Sequence, residues 1–300
     1  MRQLAGVFGP AVTTFDERGA LDLAAFRANI RAHIAGGLDG VVLCGSTGEN
    51  PLVDDAERRA LLEAAREELS REHWLIMATG AESTRQTIAR TADAARLGAD
   101  AALVVSPHYY TPNMTSEALR AHFTAVADAA MIPILIYNIP KYVHFSIAPP
   151  LMAELAQHPN IHGMKDSSGD LALLAQYLEA QGDAFSVLTG SGQALNEGLA
   201  LGARGGILAV ALFTGGIARA LYDAFMRGDH SEAARLQEVL VPLAKEIVGA
   251  MGVPGVKGSL DRVGLRGGPV RSPLLPLDAA SATRLDALLA AAALGVAAHA

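Results

Sequence analysis

Ala101-Ala102-Leu103-Val104-Val105-Ser106-Pro107 is an unbroken apolar run of strand character, and Pro133-Ile134-Leu135-Ile136-Tyr137-Asn138-Ile139 repeats it one helical interval later. A strand apolar at every position, rather than at every second one, is covered on both faces, as in a parallel sheet. Outward from these two runs, the same alternation of short strand and amphipathic helix occurs eight times. The predicted strands are residues 6–12, 40–45, 74–80, 101–107, 133–139, 161–167, 185–191 and 205–212. Helical patterns fill 23–36, 56–71, 84–97, 116–129, 149–157, 170–179, 193–201 and 217–226. Eight such pairs predict an α/β fold, a (β/α)8 TIM barrel over residues 1–226, with an open doubly wound sheet as the alternative. Beyond residue 226 only helical patterns follow, at 231–248, near 255–263 and at 281–298, with a Gly/Pro-rich connection at 264–276. This predicts a C-terminal helical bundle, 227–300, packed on the barrel or on a neighbouring subunit.

Bulk properties exclude several classes of function. The 24 Lys and Arg against 31 Asp and Glu give a formal charge of -7, and no basic stripe offers itself to a phosphate backbone, so nucleic acid is not an expected partner. Cys44 is the single cysteine, which forbids an internal disulfide, and no Cys/His spacing suits a structural zinc. Neither a metal nor a cofactor is called for. The N-terminus lacks the pattern of a secretory signal, and the apolar tail 285–298 is mostly alanine and shorter than the about 20 residues a membrane span needs. A cytoplasmic protein with no membrane partner is the expectation.

In a barrel, chemistry gathers at the carboxyl ends of the strands. Four of these ends are polar: Gly45-Ser46-Thr47-Gly48-Glu49, Pro107-His108-Tyr109-Tyr110, Tyr137-Asn138-Ile139-Pro140 and Gly163-Met164-Lys165-Asp166-Ser167-Ser168. Period-two alternation puts Ile161, Gly163 and Lys165 on one face, so an inward Ile161 implies an inward Lys165 with room above Gly163. A lysine inside a barrel loses hydration, which favours the neutral amine that attacks a ketone; a solvent-facing lysine at a strand end is the bland alternative. Tyr137 shares a face with Leu135 and offers a phenol to the same interior, as acid and base or as a core tyrosine bonded to a carbonyl. Ser46 and Glu49 have capping-box spacing, while the N–H groups and hydroxyls of Ser46 and Thr47 suit a carboxylate. Tyr109 and Tyr110 read as an interface or lid pair. Thr189-Gly190-Ser191-Gly192 and Gly205-Gly206 occupy places where many barrels bind phosphate, but without a nearby lysine they read as close-approach positions, with the backbone near Ile207 lining the pocket.

Together with Gly9-Pro10-Ala11-Val12-Thr13-Thr14-Phe15, these motifs resemble the dihydrodipicolinate synthase and N-acetylneuraminate lyase family of class I aldolases along nearly the whole chain. The resemblance implies a Schiff base between Lys165 and the keto carbon of pyruvate. It also implies a proton relay through Tyr137, Ser46 or Thr47 and Tyr110, and a carboxylate site at Gly45, Ser46 and Thr47. It implies a homotetramer or dimer of dimers, in which Tyr109 or Tyr110 enters a neighbour's site. Synthases of the lysine pathway carry an arginine after the YNxP element; here Tyr142 stands in its place, with Lys141 and His144 beside it. A phenol does not replace a bidentate guanidinium. Gln157-His158-Pro159-Asn160-Ile161 and Gly252-Val253-Pro254-Gly255-Val256-Lys257 resemble 4-hydroxy-2-oxoglutarate and 2-keto-3-deoxy sugar-acid aldolases. The first expectation is therefore a lyase that joins or releases pyruvate and an aldehyde. Dihydrodipicolinate synthase, a sugar-acid dehydratase and a non-catalytic keto-acid-binding barrel follow as alternatives.

Overall fold

A computed structural model describes residues 3–294 of the chain. Eight parallel strands close into one barrel in sequence order: β1 Gly6–Pro10, β2 Gly40–Leu43, β3 Trp74–Ala78, β4 Ala101–Val105, β5 Ile134–Asn138, β6 Ile161–Asp166, β7 Ser186–Thr189 and β8 Gly205–Ile207. The closed TIM barrel, not the open sheet, is the arrangement adopted. Each strand ends sooner than its apolar run suggests, because the last residues leave the ladder and become the loops of the barrel mouth.

Between the strands run α1 Leu23–Ala35, α2 Asp55–Glu68, α3 Thr84–Arg96, α4 Ser116–Ala129, α5 Pro140–Val143, α6 Pro149–Leu155, α7 Leu171–Leu178, α8 Leu195–Leu201 and α9 Ile217–Met226. Asp22, Asp54, Ser83, Thr115 and Asp170 cap α1, α2, α3, α4 and α7 by accepting N–H bonds of the first turn, which fixes where each helix begins. At α2 the cap is a full capping box between Asp54 and Glu57. The Ser46/Glu49 box expected from spacing does not form. Glu49 instead adopts a left-handed backbone ahead of a short 3-10 turn, Asn50–Leu52.

Two apolar layers follow from strand alternation. Phe8, Val42, Ile76, Leu103, Leu135 and Leu188 fill the barrel, while Val104, Ile136, Met164 and Val187 pack outward against helical residues such as Phe123, Leu151 and Leu174. Ile161 belongs to the outer layer, contrary to the simple alternation read from the sequence. The β5–β6 register explains it: Ile134 pairs with Ile161 but Leu135 pairs with Gly163, so His162 is an extra residue in β6. A one-residue bulge reverses which face the following residues occupy. Lys165 therefore points inward because of the bulge, not because it shares a face with Ile161.

The C-terminal segment is α10 His230–Pro242, a π-helical stretch Leu243–Met251, α11 Gly252–Arg262 and α12 Ala279–Ala291. The final helix read from the sequence, 281–298, ends at Ala291, and residues 295–298 of that reading lie outside the described residues. Where two separate helices were expected, 230–262 is one continuous helical run. Pro242 lacks an N–H and crowds the preceding turn, and the backbone widens just after it. This run is long and apolar enough to cross a membrane by length and composition alone, yet Leu240, Leu243, Ile247, Val256 and Leu260 are buried in one cluster with Val7, Leu208 and Leu212 of the barrel. The last helices and the closing strands thus share a core.

Candidate active site

The mouth of the barrel holds a cavity of about 200 Å³ whose wall includes Ser46, Thr47, Tyr137, Tyr142, Lys165 and Ile207. Lys165 is only 6% exposed, and its Nζ lies 4.4 Å from the centre of the Tyr137 ring. The two residues are direct neighbours in the β5–β6 ladder, so the pairing of strands far apart in sequence sets the lysine–phenol contact. Gly190 supplies the space beneath: a Cβ there would fall 2.9 Å from Lys165 Cε and 1.9 Å from Ser167 Oγ. Gly163, expected to leave room for the lysine, serves the neighbouring strand, since its Cβ would meet the Ser186 carbonyl oxygen at 2.4 Å.

Behind Lys165 the other face of β6 is pinned by hydrogen bonds. Asn138 Nδ2 donates to Asp166 Oδ1 at 2.7 Å, Ser168 Oγ donates to Asp166 Oδ2 at 2.7 Å, and the Ile147 N–H donates to Asn138 Oδ1 at 3.0 Å. Burial raises the Asp166 carboxyl above its usual range, with Asn138 and Ser168 opposing the shift. The network fixes β6 against β5 at the level of Lys165.

The Gly45–Glu49 segment is a compact turn. Gly48 and Asn50 N–H groups donate to the Gly45 carbonyl, Glu49 N–H to the Ser46 carbonyl at 3.2 Å, and Thr13 Oγ1 to the Gly48 carbonyl at 2.7 Å. Among the described residues no acceptor faces the N–H groups of Ser46 and Thr47, and both residues line the cavity. Two free donors beside a lysine suit an α-keto acid, which presents a carboxylate next to its ketone. Burial pushes the thiol of Cys44, just ahead of the turn, up to about 11, so it stays protonated.

A second, more apolar cavity of about 350 Å³ adjoins the first and shares Ser46, Tyr137, Ile139, Tyr142 and Val253 with it. Gly45 and His108 line this second space. Tyr142 is half-buried at the boundary; burial first, and neighbouring Tyr137 second, hold its phenol above the ordinary value and so keep it a donor. Lys141 lines the first cavity, and its Nζ donates to the Gly249 carbonyl at 2.9 Å. His144 is exposed with a left-handed backbone and lines neither cavity. Tyr109 and Tyr110 are 77% and 66% exposed, stack edge-to-face at 5.0 Å, and also line neither cavity within the single chain.

Sequence reading missed the contribution of the C-terminal helices. Val248, Gly249, Val253 and Val256 wall the first cavity from the π-helical stretch and α11. It also missed a buried ion pair, Lys257 Nζ to Glu49 Oε1 at 2.5 Å, with side chains 2% and 0% exposed. Removing one partner of such a pair typically costs about 3–5 kcal/mol. Both residues lie in motifs that carried the resemblance, but 208 positions separate them, and no local signal shows that they meet.

The profile of the dihydrodipicolinate synthetase family matches residues 3–292. The chain belongs to the dihydrodipicolinate synthetase family. Within it, the chain is 37% identical over 264 residues to the 4-hydroxy-tetrahydrodipicolinate synthase of Exiguobacterium sibiricum, covering 88% of this chain and 89% of that one. It is 39% identical over 270 residues to 4-hydroxy-tetrahydrodipicolinate synthase 1 of Streptomyces coelicolor, covering 89% and 87%. Among solved structures, a prophage protein of the dihydrodipicolinic acid synthase family from E. coli K12, in complex with pyruvate, superposes with a TM-score of 0.92 at 28% identity, covering 98% of this chain and all of that one. The dihydrodipicolinate synthase of Aquifex aeolicus gives 0.92 at 30% identity, with the same coverage. As a member of the dihydrodipicolinate synthetase family, the chain is a lyase of the class I, pyruvate-dependent aldolase type.

Proposed function

We propose that Lys165 attacks the keto carbon of pyruvate and makes or breaks the bond between pyruvate and an aldehyde. The observation that carries this reading is the burial of Lys165 against Tyr137 in the same cavity as the unpartnered N–H groups of Ser46 and Thr47. The amine adds to the ketone, a proton passes to the departing oxygen, and water leaves to give a protonated imine. That cation draws electrons from the adjacent methyl carbon, so loss of a proton gives an enamine that attacks an aldehyde carbon; cleavage is the same path reversed. Tyr137 would carry the protons, and the Ser46 and Thr47 donors would receive the carboxylate.

For the aldehyde, the names of the curated relatives support a 4-hydroxy-tetrahydrodipicolinate synthase more strongly than the hydroxylated keto-acid aldolase that the sequence put first. One observation favours the aldolase: Tyr142, a phenol, borders both cavities in the place where a carboxylate clamp would stand. The experiment runs both reactions on one preparation, pyruvate release from hydroxylated 2-keto acids beside condensation of pyruvate with aspartate semialdehyde. Dominant condensation establishes the synthase, and dominant release the aldolase. Borohydride with pyruvate should add a permanent mass at Lys165, and Lys165→Ala should lose both the adduct and at least about 10³-fold in turnover. An adduct without turnover in either assay would point to a keto-acid-binding barrel, and no adduct at all would sink the imine.

A further inference from the structure

The turn that carries the Ser46 and Thr47 donors is closed by its own main-chain bonds and is also braced from far along the chain. Its two flanking residues, Cys44 and Glu49, both sit in the left-handed region, at φ 51° and 58°, without being glycine. A side chain in that region strains the backbone, and the conformation persists only where surrounding contacts over-determine it. The polar contacts on the Glu49 carboxylate come from the C-terminal segment. Its Oε1 meets Lys257 Nζ of α11 at 2.5 Å, and its Oε2 accepts the Arg271 main-chain N–H at 2.8 Å.

Those partners are themselves anchored. Lys257 Nζ donates to the Pro269 carbonyl at 2.7 Å and lies 4.6 Å from the centre of the Phe15 ring. Arg271 covers the same ring at 4.0 Å and reaches Glu57 Oε1 and Oε2 at 2.6 and 2.7 Å. Burial pulls the Lys257 ammonium below its usual value, while Glu49 opposes that shift. Glu49 N–H in turn donates to the Ser46 carbonyl, so the brace ends on the peptide that carries the Thr47 donor. A carboxylate bound by two adjacent N–H groups is sensitive to their spacing, because each bond weakens steeply with misdirection.

We propose that Glu49, Lys257 and the Arg271 main chain are positioning residues that hold the Ser46 and Thr47 N–H groups for a keto-acid carboxylate, so that the C-terminal segment completes the pyruvate subsite. The proposal rests on the pyruvate reading of that subsite. Its consequence is selective: losing the brace weakens ketones that carry a carboxylate and leaves other ketones unaffected at Lys165.

The test compares borohydride trapping of two ketones, pyruvate and acetone, at Lys165 in the full-length protein and in Lys257→Met. The pyruvate concentration for half-maximal trapping should rise about tenfold, the size of one lost charge-assisted hydrogen bond, while that for acetone stays within about twofold. The double variant Glu49→Gln/Lys257→Met leaves no buried charge unpaired and gives the same comparison if the single variant does not fold. A parallel rise for both ketones, or no rise for pyruvate, in a folded variant overturns the brace. Wild-type protein that forms no adduct at Lys165 with either ketone overturns the Schiff-base reading itself, which separates the two failures.

Discussion

The half of the mouth that would face pyruvate and the half that would face the aldehyde are built differently. Lys165 and Tyr137 sit on the adjacent strands β6 and β5, are buried, and are fixed by ladder pairing and by the Asn138–Asp166–Ser168 network. Tyr142 and His144 sit on and just after the one-turn helix α5, the first half-buried and the second exposed, with Lys141 tied to a carbonyl of the π-helical stretch. Rigid strands suit a covalent step that must be positioned to a fraction of an ångström, whereas loop residues change the partner without disturbing that step. Such a division would let the proposed imine chemistry stay fixed while the second substrate changes.

The largest effect should come from disturbing the rigid half. Gly190→Ala places a methyl group against Ser167 and Lys165, and a displacement near 1 Å at the nucleophile typically costs about a hundredfold in rate. Single-turnover measurement of imine formation should show the loss; an unchanged rate would mean that the lysine is not held as tightly as its burial indicates.

The scaffold provides a control that should leave the site untouched. His33 on α1 is buried, its Nε2 meets no partner among the described residues, and burial lowers its pKa to about 4. The unfolded chain takes a proton near the ordinary value of 6.5 while the folded chain refuses it until about 4, so stability falls as pH drops through that window. At pH 5 the loss should be about 2 kcal/mol, measurable by denaturant titration and absent in His33→Gln. A slope unchanged by that substitution would assign the acid sensitivity to other groups.

The smallest effect belongs to the loop half. Tyr142→Arg restores a guanidinium beside both cavities and should shift the ratio of condensation with aspartate semialdehyde to keto-acid cleavage by about tenfold, with little change in pyruvate trapping. Equal changes in trapping and partner choice would erase the distinction between the two halves.

The eightfold strand-helix rhythm can be read along the chain alone, because apolar continuity and helical periodicity are local properties. The residue types at the strand ends can be read there too, so Lys165, Tyr137, Ser46 and Thr47 were legible as a group. Other features depend on contacts between distant segments. The bulge at His162 turns Lys165 inward through pairing with β5, and no property of β6 alone sets that register. The capping-box spacing of Ser46 and Glu49 is not used, because the Glu49 carboxylate is engaged by Lys257 and the Arg271 main-chain N–H, which no local pattern brings there. The wall that the C-terminal helices give the cavity likewise depends on how the chain returns across the barrel, and that return is fixed by burying Leu240, Leu243 and Ile247 together with Val7 and Leu212.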